Sequence, residues 1–157
     1  MKNKIKIRIL AQLISIILVF VLLSKINFAQ ASQENSFFGK LEIVIKGFEN
    51  NEGDCWFAID NSEEIFERED TVWIGKILPI ENNEVVVIID SLKYGVYAVK
   101  VFHDENRNGE LDTDILGIPD EDYGYSNDAS GWFGPPSWDS AKFYFNKPEL
   151  TIIINVD

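Results

Sequence analysis

The sequence predicts an all-β protein, a two-sheet β-sandwich of about seven strands with one long ordered loop. Three observations lead to this prediction. Short runs rich in β-branched and aromatic residues recur along the chain, at the spacing of roughly 8–12 residues that is typical of sandwiches and barrels. Asn, Gly and Pro residues separate these runs and indicate turns. No long stretch repeats its apolar residues at the helical period, so helices are not expected to build the core. A barrel is the alternative.

The individual strands follow from the pattern of each run. The run 41–46 alternates apolar and polar residues between two glycines, which indicates a strand with one buried face. The run 85–89 is β-branched throughout, which is typical of a strand buried on both faces. The polar segment 61–70 predicts a short helical turn or a loop. The other predicted strands are 55–59, 72–78, 96–102, 141–145 and 150–156.

Residues 1–31 have the pattern of a cleavable signal peptide. Basic residues precede an apolar run from Ile9 to Leu23, and Ala29-Gln30-Ala31 supplies the small residues of a cleavage site. The run is shorter than the roughly 20 apolar residues that span a bilayer, and an uncleaved anchor is the alternative. We therefore expect a flexible lead-in at 32–37, one domain at 38–157, no stable membrane span after cleavage, and a periplasmic or extracellular location.

The charge of the chain is strongly acidic. The formal charge is −12, and removal of the five basic residues in 1–31 leaves 9 basic against 26 acidic residues, a formal charge of −17. Such a surface repels nucleic acid and anionic lipid, so no nucleic-acid partner is expected. It suits cations, basic partners or solubility outside the cell.

The single cysteine and the single histidine do not predict catalysis. Cys55 lies in a predicted strand, where a buried thiol is expected, and one cysteine forms no intramolecular disulfide. His103 is the only imidazole that could act as a base for this thiol. We therefore predict no catalytic residue.

The segment 103–140 is too long for an ordinary connection between strands, and such segments are often functional. Its start alternates oxygen-bearing side chains with Gly109 at the sixth position, as in the front half of an EF-hand loop. Because Ca²⁺ takes six to eight oxygen ligands, this pattern predicts a weak calcium site. The predicted ligands are four side chains and the backbone carbonyl of Glu110: Asp104, Asn106, Asn108, Glu110 and Asp112. The twelfth position is Ile115 instead of Glu, and Asp114 is a candidate replacement. The alternative is a metal-free turn in which Asn and Asp bond to their own backbone.

Aromatic residues follow in the same segment and predict a second kind of site. They could stack on a sugar or clamp a peptide, so a protein or carbohydrate partner is one interpretation. The alternative is a small core that covers one end of the sandwich, because exposed tryptophan clusters are costly. The residues are Tyr123, Tyr125, Trp132 and Trp138.

Several of these stretches share their order and spacing with a known family. The stretches are 92–99, 103–112, 117–119, 123–127 and 133–138. Together they resemble the bacterial DUF2141 family, which has no known function, over roughly Gly39 to Val156. The resemblance implies an exported protein with an immunoglobulin-like or transthyretin-like sandwich and no catalytic residues. The 92–97 pattern is also similar to transthyretin-like and carboxypeptidase-regulatory-like modules, which are mostly structural or binding modules.

We expect a non-enzymatic exported module, structural or ligand-binding, with its site in the segment 104–138. The alternative is a hydrolase acting on cell-surface polymers, which would need two carboxylates at a defined separation. Candidate carboxylates are Asp104, Glu105, Asp112, Asp120, Glu121, Asp122 and Asp139. A third interpretation is an assembly component joined through strand 150–156, if that strand lies at an edge.

Overall fold

The structure is a computed structural model that describes residues 37–68, 70–132 and 134–157. The predicted signal peptide, 1–31, and residues 32–36 of the predicted lead-in lie outside the described residues. The last lead-in residue, Phe37, stacks its ring on Tyr94 and accepts a hydrogen bond from the Tyr94 backbone N–H. In the part of the chain that the structure describes, no helix is long and apolar enough to cross a membrane.

The described chain forms eight strands in two sheets. The strands are β1 (Phe38–Lys46), β2 (Asp54–Asp60), β3 (Ile74–Leu78), β4 (Glu84–Lys93), β5 (Gly95–Asp104), β6 (Tyr123–Tyr125), β7 (Phe143–Phe145) and β8 (Glu149–Asn155). Two one-turn helices, α1 (Glu63–Phe66) and α2 (Trp138–Ala141), and a 3₁₀ turn (Ser126–Asp128) complete the fold. The first sheet has the order β4-β1-β8, and the second has the order β3-β2-β5-β6, with β7 also pairing with β5. Strands β1 and β8 are parallel, and the other pairs are antiparallel.

The core lies between the two sheets, because alternate residues of each strand point to the same face. Burying a Val, Leu, Ile or Phe side chain in such a core contributes about 1.5–3 kcal/mol. The central buried residues are Leu41, Ile43, Ile45, Val85, Val87 and Ile154 from the first sheet, and Cys55, Phe57, Ile59, Val99, Val101 and Phe145 from the second. The prediction of an all-β sandwich is therefore confirmed, whereas its immunoglobulin-like or transthyretin-like subtype stays a prediction.

The prediction that the run 85–89 is buried on both faces is wrong. Val85 and Val87 are buried, but Val86 and Ile88 are 47% and 45% exposed. The reason is that β4 is an edge strand of an antiparallel pair in a sandwich, where only the face toward the other sheet is covered. β-Branched composition alone did not distinguish this strand from one with two buried faces.

The C-terminal strand β8 lies at the edge of the first sheet, and part of that edge is occupied. The backbone N–H and side-chain amide of Asn155 each donate to the Asp128 carboxylate, at 3.0 Å. Tyr123 and Asp157 exchange two backbone hydrogen bonds of 3.3 Å. These contacts tie the segment 123–128 to β8 and reduce the length of strand available for pairing with another chain.

Candidate functional site

The candidate site begins where β2 and β5 end side by side, with Asp54 opposite Asp104. Gly53 precedes β2, and its backbone passes directly over the start of the loop. Its φ of +70° suits glycine, and a Cβ there would lie 2.2 Å from the Asp104 carbonyl oxygen. Arg107 fixes the loop from the other side, because its guanidinium donates to the Asp54 carboxylate at 2.8 Å and to the Gly53 carbonyl at 3.0 Å.

Asp104 closes the loop into a tight curl. The residue is buried, and its carboxylate accepts hydrogen bonds from the Trp56 indole N–H at 2.9 Å and from two backbone N–H groups. The backbone donors are Asn108 at 3.0 Å and Gly109 at 2.9 Å. Gly109 has a φ of +84°, and a Cβ at this position would lie 3.3 Å from the Trp56 ring. The first part of the curl, from 104 to 109, is thus built around one buried carboxylate.

The predicted calcium ligands come together in this curl. The side-chain amides of Asn106 and Asn108 donate to the two oxygens of the Asp112 carboxylate, and the bond from Asn108 is 3.0 Å long. Asn106 Oδ1 accepts the Asn108 N–H at 2.9 Å, and Asn108 Oδ1 accepts the Glu110 N–H at 2.7 Å. Asp104, Asn106, Asn108 and Asp112 therefore belong to one hydrogen-bonded network, and Glu110 joins it through its backbone. The same bonds are those of the metal-free turn that the sequence left as an alternative.

A residue from the returning chain completes the curl. Glu121 is buried, and its two oxygens accept the Glu105 N–H at 2.9 Å and the Asp112 N–H at 3.0 Å. The candidate replacement Asp114 has a different role, because its Oδ1 accepts the N–H groups of Leu116 and Ile118 at 2.7 and 3.0 Å. The sequence pattern did not assign Glu121 to the curl, because this residue lies outside the local spacing that predicted the other members.

The carboxylates of the curl do not by themselves form a metal cluster. Among the described residues, no three or more His, Cys, Asp or Glu side chains are arranged to hold a metal ion as they stand. The predicted ligand set contains two side-chain carboxylates, those of Asp104 and Asp112, together with amide and backbone oxygens. Any calcium bound there would therefore take ligands from neutral oxygens as well as from carboxylates.

The four predicted aromatic residues lie in two different environments. Trp138 and Tyr125 pack against Phe66, and their ring centroids lie 5.7 and 6.0 Å from the Phe66 centroid. The ring centroid of Tyr123 lies 6.1 Å from that of Tyr125. Burial, and secondarily the Tyr123 hydroxyl, raise the pKa of Tyr125. The Trp132 side chain is instead 96% exposed. The structure thus places Tyr125 and Trp138 in a small core around Phe66 and leaves Trp132 at the surface.

Cys55 and His103 are direct neighbours across β2 and β5, and both are fully buried. Burial raises the pKa of the Cys55 thiol to about 12. Because the thiolate is the nucleophile, we expect this thiol to be unreactive at neutral pH. The imidazole Nε2 of His103 lies 2.6 Å from the Glu52 carbonyl oxygen and donates to it. The burial of both groups and the bond of Nε2 to the Glu52 carbonyl do not favour a nucleophilic role for this pair.

The comparison with protein families shows to which family the chain belongs. A family model described as an uncharacterised protein conserved in bacteria, DUF2141, matches residues 43–153. The chain belongs to the DUF2141 family. This confirms the resemblance found in the motifs, and the matched range of the DUF2141 protein includes all the residues of the curl. No significant match was found among curated proteins or among solved structures.

Proposed function

We propose that this DUF2141 protein is a non-catalytic, exported β-sandwich module whose curl, residues 104–112, binds Ca²⁺ weakly. The observation that carries the proposal is the network in which Asn106 and Asn108 both direct their amides at Asp112. The amide N–H groups donate to the carboxylate that we expect a cation to bind.

The side-chain oxygens of the curl are compatible with a bound ion. Asn106 Oδ1 and Asn108 Oδ1 each accept one backbone N–H, and a carbonyl oxygen has two lone pairs. Each therefore keeps one lone pair for a cation without breaking the backbone turn. Calcium binding needs only that the Asp112 carboxylate exchange its amide donors for the ion. We expect the backbone of the curl to stay the same in both forms.

The charge around the curl favours a cation. Between Arg107 and Lys142 the chain contains no Lys or Arg and eight acidic residues, which lowers the local electrostatic potential. With only two side-chain carboxylates in the predicted ligand set, the affinity should be in the weak range of about 10⁻⁴–10⁻³ M that extracellular modules use. Such affinity fits a structural ion that stiffens the loop.

Thermal unfolding in calcium and in chelator tests this proposal. At a calcium concentration ten times the dissociation constant, linkage gives about 1.4 kcal/mol of stabilisation. For a domain of this size the midpoint should rise by roughly 3–6 °C. Asp112→Asn should abolish the rise, whereas the exposed Asp120→Asn, which removes the same charge, should retain it. An unchanged midpoint of the wild type at millimolar calcium would remove calcium from the account.

Export is the second part of the proposal, and it is supported by the basic and apolar pattern of residues 1–31. Cell fractionation with intact-mass measurement tests it. The expected product is a periplasmic or extracellular chain that begins at Ser32. A chain that keeps residues 1–31 in the cytoplasmic fraction would contradict it.

A partner that binds the segment 103–140 is supported by exposed apolar side chains. Trp132 is 96% exposed, and Ile115 and Leu116 in the same segment 103–140 are 102% and 78% exposed. Titration with soluble oligosaccharides and peptides, followed by tryptophan fluorescence, tests this binding. A signal that disappears in Trp132→Ala supports the partner, and a flat titration opposes it for those ligands. The hydrolase alternative gains no support, because Asp104, Asp112 and Glu121 all serve as acceptors that hold the loop.

A further inference from the structure

Strand β4 has an open edge, because in the described sheet only β1 pairs with it. Its first residue, Glu84, exchanges two backbone hydrogen bonds of 3.1 Å with Glu81 in the preceding turn, so the backbone N–H and C=O of Glu84 point away from β1. In an antiparallel ladder every second residue has the same direction. The N–H and C=O groups of Val86 and Ile88 therefore also face the open edge. Among the described residues, no strand or loop pairs with these four groups.

The other sheet edges carry the features by which natural proteins protect an edge from pairing. Strand β3 is five residues long, contains Lys76 and is followed by Pro79. Asp128 occupies part of the β8 edge, and β6 and β7 have only three residues each. In contrast, β4 has no Pro or Lys between Val85 and Ile89, and its shift of register relative to β1 lies beyond Ile89. The segment 85–89 is therefore the least protected edge of the described strands.

The charge of the first sheet suits a second copy of this chain. Its three strands contain three basic and four acidic residues, a net charge of −1, whereas residues 32–157 carry −17. On its outer face Lys46 pairs with Glu84 at 3.5 Å, and Lys40 pairs with Glu42 at 3.8 Å. Because two strongly acidic chains repel each other least where each is nearly neutral, this sheet is the place where two copies can approach.

The side chains at this edge are complementary to themselves. Val86 and Ile88 both lie on the outer face and are about half exposed, and Val44 of β1 lies directly beside Val86. In an antiparallel pair centred on Val87, Val86 of one copy lies opposite Ile88 of the other. Aliphatic side chains then meet aliphatic side chains on both sides of the two-fold axis, which stabilises cross-strand pairs.

We propose that two copies of the chain pair antiparallel through β4, centred on Val87, and form one continuous sheet. Val86 of each copy exchanges two backbone hydrogen bonds with Ile88 of the other, which satisfies all the open groups of both residues. Centring the pair on Val86 would set Ile88 against Glu84, whose backbone groups are already bonded within the turn. Centring it on Ile88 would set Val86 against the charged Asp90. The register at Val87 therefore fits best.

Two-fold pairing of this kind closes on itself, because each copy uses the same edge. The assembly therefore ends at a dimer. The dimer presents two copies of the segment 103–140, which strengthens binding to a partner that carries repeated sites. The pairing itself does not depend on calcium or on the proposed function of the curl.

Sedimentation equilibrium of the purified protein in chelator tests the pairing. Because few residues meet, we expect a weak dimer with a Kd of about 10⁻⁵–10⁻⁴ M, so the average mass should rise from one chain to two over that range of concentration. Raising the salt from about 0.05 to 0.5 M should strengthen the dimer several-fold, since salt screens the repulsion between the acidic surfaces. A mass of one chain up to about 1 mM, or a mass that grows beyond two chains, would overturn the proposal.

Charges placed on the edge give the sharper test. Val86→Lys and Ile88→Glu should each raise the Kd at least about tenfold, because a charged side chain then opposes an aliphatic one twice in the dimer. An equimolar mixture of the two variants should dimerise again, since the lysine of one chain lies directly opposite the glutamate of the other. Val86→Glu is the matched control, because its mixture with Val86→Lys places the charges diagonally and should recover less. Both positions are about half exposed, and equal unfolding midpoints at low concentration check that the variants fold.

Ile153→Lys separates the pairing of edges from the stacking of faces. Ile153 lies on the same outer face and is 54% exposed, but it belongs to β8 at the opposite edge of the sheet. This variant should dimerise like the wild type. An equal loss of dimer in Ile153→Lys and Val86→Lys would show that the faces stack, and it would overturn the pairing of edges. A mixture of Val86→Lys and Ile88→Glu that stays monomeric would overturn it as well.

Discussion

Replacing Asp104 by alanine should unfold the loop end of the sandwich at a large cost in stability. The carboxylate accepts three hydrogen bonds, from the Trp56 indole and from the backbone of Asn108 and Gly109. Hydrogen bonds to a charged acceptor contribute about 1.5–3 kcal/mol each, and a buried donor left without a partner costs about 1–3 kcal/mol. Because the two backbone donors can reach water once the curl opens, we expect a total loss of about 3–5 kcal/mol.

Urea unfolding followed by tryptophan fluorescence measures this loss. Trp56 lies directly on the curl, so Asp104→Ala should also change the native emission spectrum. Asp120→Ala is the matched control, because it removes an exposed aspartate of the same loop and should change the free energy of unfolding by less than about 0.5 kcal/mol. Equal midpoints for the two variants would refute the reasoning that one buried carboxylate organises the curl.

Three further predictions concern the core and its small extension. Trp138→Ala should destabilise the fold by about 3–5 kcal/mol in urea, whereas Trp132→Ala should stay within about 0.5 kcal/mol. Ser126→Ala should cost about 2–4 kcal/mol, because the buried Ser126 hydroxyl accepts the Val99 N–H at 2.8 Å and donates to the Ala141 carbonyl at 2.6 Å; the same urea assay checks it. Cys55 should resist iodoacetamide at pH 8 in the native protein and react once it is unfolded, as mass spectrometry would detect. Since burial raises the pKa of Cys55 from 9.0 to about 12, the stability this thiol contributes is complete below pH 9 and is lost as pH rises to 12, by about 1.4 kcal/mol per unit relative to Cys55→Ala.

Local patterns were sufficient for most of the strands. The alternation in 41–46 predicted a single buried face, and this run lies in β1, whose burial alternates. The pattern failed where tertiary context decides. Val86 and Ile88 are β-branched but exposed, and the three-residue strand β6 is held by its pairing with Lys100–Phe102. Neither fact has a signal in the nearby sequence.

The residues of the candidate site likewise include some that a local sequence pattern predicts and others that only tertiary contacts place. The curl was predictable because its residues lie close together in the sequence, at the spacing of an Asx-rich turn. These residues are Asp104, Asn106, Asn108 and Gly109. Glu121 and Asp122 could not have been placed, because they reach the loop through the backbone bond between His103 and Asp122.

The most direct test of the account is a calcium titration of the ¹⁵N-labelled protein, followed residue by residue through its backbone amide resonances. The account predicts saturable shifts concentrated in residues 104–112 and at Glu121, with those of β1 and β8 nearly unchanged. The absence of saturable shifts at millimolar calcium, or shifts spread over the acidic surface without a focus on the curl, would contradict it.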